Sequence, residues 1–240
     1  MAKGVLAKYK DYLPLTDDTP IFSLGEGDTP LVKSRHIVDL VGCEELYFKL
    51  EGCNPTGSFK DRGMVVAVAK ALEAGGNSLA CASTGNTSAS AAAYGAYCGI
   101  PTTVIVPKGN VARGKLAQAV AYGARIMLIQ GSFDHAMQLV RDLTERHPIV
   151  LVNSINPHRL QGQKTAAFEV VEELGTAPDY VFIPVGNAGN ITAYWKGFSQ
   201  YFQMGISTKL PKMMGVQADG SAPIVNGQIV KAPKNTIATR

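Results

Sequence analysis

The chain predicts an α/β protein with a mainly parallel sheet. Two observations carry this. Short apolar or β-branched runs alternate with segments of helical apolar spacing along most of the 240 residues. Polar corners rich in Gly, Ser, Thr and Asn separate each run from the helix after it. An apolar content of 46% against 18% charged residues suits a packed core.

Taken in order, residues up to about 30 read as a surface arm, ending in a turn-rich entry to a short strand at Leu31. A strand is expected over Glu45 to Glu51. A Pro/Gly loop follows, and then a helix whose stripe is Val65, Val68, Ala69 and Leu72, with Ser58 as its N-cap. Ser78 to Ala82 reads as a buried strand and Ser88 to Tyr97 as an Ala-rich helix. Thr102 to Val106 is a β-branched strand, Pro107 to Asn110 a turn, and Ala112 to Ala121 a helix. A strand at Arg125 to Ile129 precedes a helix capped by Ser132, with the stripe Phe133, Ala136, Met137, Val140 and Leu143. The remaining elements are a strand at Ile149 to Val152, a helix at Leu160 to Leu174, a strand at Asp179 to Pro184, a helix at Thr192 to Phe202 and a strand at Lys212 to Gln217.

The net charge of +4 contains no run of five like charges, which argues against nucleic-acid binding and suits a small anionic substrate. Four cysteines, Cys43, Cys53, Cys81 and Cys98, include no Cys-x-x-Cys pair and fit free thiols in a reducing cytoplasm. The scattered histidines suggest no metal site, and no apolar run is long enough for a membrane span or a signal peptide.

In parallel sheets ligands gather at the carboxyl ends of strands. Three unusual corners lie there. In Asn54-Pro55-Thr56-Gly57-Ser58-Phe59-Lys60-Asp61-Arg62, Lys60 falls in the first turn of a helix, where the dipole disfavours an ammonium. A neutral lysine is the form that attacks a carbonyl. Ser83-Thr84-Gly85-Asn86-Thr87 offers hydroxyls and backbone N–H groups suited to a carboxylate, although Ser, Thr and Asn are also ordinary helix caps. Gly186-Asn187-Ala188-Gly189-Asn190 reads as a phosphate cradle or as a turn shaped by Gly and Asn; it matches neither the Walker pattern nor the dinucleotide fingerprint. Together the corners suggest a phosphate-bearing aldehyde with a lysine partner, the chemistry of pyridoxal 5'-phosphate.

On these motifs, and on Asn153-Ser154-Ile155-Asn156-Pro157-His158-Arg159, the sequence resembles the threonine synthases, within the tryptophan synthase β-like (fold type II) pyridoxal-phosphate enzymes. The Gly-Asn-Ala-Gly-Asn and Ser-Thr-Gly-Asn-Thr corners differ from those of dehydratases and cysteine synthases of the same plan. The resemblance implies two three-layer α/β/α domains with the cofactor in the cleft between them. The larger would comprise residues 1–55 and 149–240, incomplete at its C-terminus because family members run on. The smaller would comprise residues 56–148.

By the same resemblance Lys60 would bond the cofactor and act as the catalytic base. Asn86 would hydrogen-bond the ring hydroxyl. Gly186, Asn187, Ala188, Gly189 and Asn190 would bind the cofactor's phosphate. Ser83, Thr84 and Thr87 would hold the substrate carboxylate, and Ser154 and Arg159 the phosphate of O-phospho-L-homoserine. A homodimer is also implied. The alternatives are a threonine or serine dehydratase, or a cofactor-binding fragment without activity.

Overall fold

The computed structural model describes residues 4–108 and 113–227. The chain divides into two compact units, Met1–Thr165 and Ala166–Arg240.

The first unit opens with helix α1 (Gly4–Lys8), which packs against the later helix over residues 60–73. Val5, Leu6 and Tyr9 are buried there, so the start of the expected surface arm is part of the core, while most of residues 14–30 stay exposed or half-buried. The buried carboxylate of Glu26 anchors it by accepting from the Val5 and Leu24 N–H groups, the Ser23 hydroxyl and the Tyr94 hydroxyl. No hydrophobic periodicity marks so short a helix, which is why the sequence hides it. Strand β1 (Leu31–Lys33), helix α2 (Ile37–Val41) and strand β2 (Tyr47–Lys49) follow, with β1 and β2 antiparallel.

Helix α3 (Lys60–Glu73) leads into the main sheet. Its members are β3 (Ser78–Ala82), β4 (Thr102–Pro107), β5 (Arg125–Ile129) and β6 (Ile149–Leu151), all parallel in the order β5-β4-β3-β6. Helices α4 (Asn86–Tyr97), α5 (Arg113–Ala121) and α6 (Phe133–Arg146) alternate with them. The turn expected at Pro107 to Asn110 falls partly outside the described residues.

Successive strand residues face opposite sides, so β3 serves two layers. Ala80 and Ala82 pack with Ile105 against Ala136 and Val140 of α6. Helix α4 packs against β3 and β4 as well. Ser132 caps α6 by accepting from the His135 N–H, as its sequence position predicts. Phe133 is largely exposed and stands outside the expected stripe.

The predicted helix over 160–174 is two helices, α7 (Pro157–Gln163) and α8 (Thr165–Leu174). Asn156 caps α7 with Pro157 in its first position. In the second unit α8 precedes β7 (Tyr180–Pro184), α9 (Gly189–Gln203) and β8 (Lys212–Val216). Strands β7 and β8 are parallel, joined by α9 as a strand–helix–strand crossover. Phe168 stacks on Tyr201 at 4.0 Å between ring centres.

Candidate active site

The corner before α3 is held by polar contacts on every side. Asn54 accepts from the Gly27 N–H at 3.1 Å and donates to the Glu51 carbonyl at 2.9 Å. Thr56 is 1% exposed, and its N–H and hydroxyl both donate to the Asp61 carboxylate at 2.7 Å. Gly57 adopts φ +77°, a left-handed turn that a side chain would strain. Phe59, not Ser58, occupies the capping position of α3; the Ser58 hydroxyl accepts from the Lys60 N–H at 3.4 Å.

Arg62 is fully buried and forks onto Glu51, with Nε at 2.7 Å and Nη2 at 2.8 Å, while Nη2 also reaches Thr29 Oγ1. This pair braces the corner from behind. Sequence reasoning missed it; the charged run Lys60-Asp61-Arg62, opening a helix of otherwise apolar character, was the available signal.

Lys60 is the first residue of α3 and is half-buried. Burial, with the Arg159 charge second, lowers its pKa to about 7. Its Nζ lies 4.5 Å above the centre of the Phe59 ring. At neutral pH a large share of this amine is therefore unprotonated, as attack on a carbonyl requires.

Arg159 reaches this region from α7. Its Nη1 donates to the Val152 carbonyl at 2.7 Å, while the buried Nε and Nη2 have no hydrogen-bond partner. Buried donors without acceptors are rare, and a guanidinium in that state is suited to an anion. The approach of α7 to α3 is exceptionally close. A Cβ on Gly162 would fall 1.9 Å from the Arg62 carbonyl oxygen, and one on Gly63 would fall 2.6 Å from that of Arg159.

At the carboxyl end of β3, Gly85 takes the capping position of α4 and no side chain caps the helix. Ser83, Thr84 and Thr87 are thus not consumed by capping, although the Ser83 hydroxyl accepts from the Gly85 N–H at 3.2 Å. Asn86 begins the helix and is half-buried. Asn153 extends the β3–β6 pairing through its side chain, accepting from the Ala82 N–H at 2.9 Å and donating to the Ala82 carbonyl at 2.7 Å. Ser154 and Ser83, the residues after this clamp, leave the sheet at the same end. Within the first unit the Arg159 charge thus acts on Lys60, and Asn153, the neighbour of Ser154, is bonded to Ala82, the neighbour of Ser83.

In the second unit, Gly186 to Asn190 joins β7 to α9. The helix begins at Gly189, three residues earlier than expected, so Gly189 and Asn190 contribute first-turn N–H groups. Ala188 takes the left-handed conformation, φ +59°, with no side-chain cap on the helix. A strained alanine at an uncapped helix start leaves its backbone donors open to an anion. Within the first unit the half-buried amine suits a carbonyl, and within the second the uncapped corner suits a phosphate.

Among the described residues no helix is long and apolar enough to cross a membrane, and no His, Cys, Asp and Glu cluster could hold a metal.

Comparison with known proteins agrees with this chemistry. Curated threonine synthases from Halalkalibacterium halodurans and Synechocystis are 56% and 55% identical over 237 and 238 residues, each across 99% of this chain. That from Mycobacterium tuberculosis is 55% identical over 98% of the chain. The chain spans 66%, 62% and 65% of these relatives' lengths. Among solved structures, maize serine racemase superposes with a TM-score of 0.72 at 23% identity, over 88% of this chain and 64% of that one. O-ureido-L-serine synthase also gives 0.72, at 21% identity, over 91% and 68%. These two likenesses establish the α/β fold. The profile of the pyridoxal-phosphate-dependent enzymes matches residues 22–240, and the chain belongs to that family.

Proposed function

We propose that this protein acts as a threonine synthase, converting O-phospho-L-homoserine and water to L-threonine and phosphate. The observation that carries the reading is identity of 53–56% to curated threonine synthases over almost the whole chain. The half-paired, buried guanidinium of Arg159 supports it, since a phosphorylated substrate would supply the missing acceptors. The reading carries with it a cytoplasmic homodimer with the larger domain at 1–55 and 149–240 and the smaller at 56–148.

When bound, pyridoxal phosphate supplies a carbonyl for the substrate amine and a conjugated ring that takes up carbanion charge. Lys60 would hold the cofactor, and its amine would move protons at the α- and β-carbons of the substrate. Asn86 would hydrogen-bond the ring hydroxyl, and Gly186 to Asn190 would hold the cofactor's phosphate. Ser83, Thr84 and Thr87 hold the substrate carboxylate. Ser154 and Arg159 orient the γ-phosphate and stabilise it as it leaves.

The test incubates the chain with pyridoxal phosphate and O-phospho-L-homoserine and measures phosphate and threonine together. Equal release of both is expected, and Arg159→Ala should lower it about 100-fold. Formation of 2-oxo acid from threonine or serine, insensitive to Arg159→Ala, would identify a dehydratase instead. Cofactor binding with neither product would leave a silent fragment.

A further inference from the structure

We propose that Lys115 is a positioning residue for Lys60, holding from α5 the corner out of which α3 emerges; this rests on Lys60 being the reactive amine. The Lys115 ammonium donates to the Thr56 carbonyl at 2.7 Å and lies 3.4 Å from the Gln118 side-chain oxygen. A Cβ on Gly57 would meet the same nitrogen at 3.4 Å, so the ammonium rests against the turn itself.

The Thr56 residue is therefore gripped from two directions. Its N–H and hydroxyl go to Asp61, which belongs to α3 and moves with that helix. Its carbonyl goes to Lys115, which belongs to a separate element. Of these two grips on Thr56, only the second reaches outside the corner and α3. Helix α5 packs against α4, the helix that starts at Asn86. The chain of contacts runs from the Asn86 corner through α4 and α5 to Lys115, then Thr56, and four residues on to Lys60.

The Lys115 ammonium is half-buried, and among the described residues its two acceptors are a carbonyl and an amide oxygen, with no carboxylate paired to it. Its field nevertheless favours the ionised form of the buried Asp61. An ammonium donating to a main-chain carbonyl is a charge-assisted fastening, stronger than a neutral hydrogen bond. Lys115 is thus suited to fix the corner against thermal opening.

The test compares the parent with Lys115→Met, Lys115→Gln and Lys115→Arg. Glutamine stops one bond short of the carbonyl, whereas arginine can still donate to it. The main readout uses cofactor-free chain: the titration midpoint of Lys60, followed by amine labelling across pH, and amide exchange at Phe59 to Arg62. Both removals should raise the midpoint by about one unit, a tenfold loss of neutral amine below it. They should also speed exchange at the corner, and arginine should restore both. In the cofactor-loaded chain, kcat should fall about 10- to 100-fold while KM changes little. Should methionine prevent folding, shown by lost circular dichroism, glutamine decides alone. An unchanged midpoint and unchanged exchange in the folded removal variants overturn the proposal. Because labelling needs no turnover, that result is distinct from a parent chain that makes no threonine.

Discussion

Lys60→Met should stabilise the cofactor-free first unit, and by an amount that shrinks as pH rises. In the unfolded chain Lys60 titrates at its ordinary value of 10.5, whereas in the folded unit burial lowers this to about 7. The unfolded state therefore binds the extra proton between pH 7 and 10.5. In that window stability rises with pH, by about 1.4 kcal/mol per unit. Below pH 7 both states hold the proton and the full penalty remains, about 5 kcal/mol for a shift of that size. Near pH 9 about 2 kcal/mol is left, and above pH 11 almost none.

Methionine carries no charge, so it escapes the penalty. Its better apolar burial adds a further gain of about 1 kcal/mol that does not depend on pH. The diagnostic quantity is thus the difference between pH 6 and pH 9, about 3 kcal/mol. The single tryptophan, Trp195, lies in the second unit and would report the wrong unfolding event. Amide exchange within α3 at increasing urea reads the first unit directly. A gain from Lys60→Met that is equal at pH 6 and pH 9 would show that the amine keeps its ordinary pKa, and the reasoning about its neutral form would collapse.

Gly162→Ala should destabilise the first unit by about 3 kcal/mol or more, since its Cβ would meet the Arg62 carbonyl at 1.9 Å and backbone must move; urea unfolding checks this. Arg62→Ala strands the Glu51 carboxylate and should cost about 3–5 kcal/mol, whereas Thr29→Val, which removes only a hydroxyl partner, should cost about 1–2 kcal/mol by the same assay. Asn153→Ala removes both bonds to the Ala82 backbone, at about 2 kcal/mol, and should speed amide exchange at Ala82 selectively.

Local pattern carried much of the fold. Strands β3 and β5 have the bounds that their sequences predict, because a β-branched or apolar run between turn residues has few other readings. The break between α7 and α8 was not legible. Periodicity continues through Lys164, and the split reflects how α7 meets α3 at Gly162, a tertiary demand. Similarly, α1 is too short to show a period, and the buried Glu26 that anchors it reads as an ordinary surface charge. For Lys60 the sequence supplied the direction of the effect through the helix dipole. The structure assigns the larger share to burial and the next to Arg159, a residue 99 positions later that no local pattern connects to it.

The run Lys60-Asp61-Arg62 shows why that connection matters. Three charges in succession suggest a solvated face, yet Asp61 and Arg62 are buried and Lys60 half-buried. Successive residues on a helix point about 100° apart, so neighbours in sequence do not meet as pairs. Asp61 turns back to Thr56, and Arg62 turns to Glu51 and Thr29. Each charged neighbour of Lys60 is thereby engaged elsewhere. Were the Asp61 carboxylate within reach of Nζ, it would favour the ammonium and return its pKa toward the ordinary value. The neutral amine thus depends on the pairing of Asp61 with Thr56, which does not include it, and loosening that pairing should quench it without touching Lys60 itself.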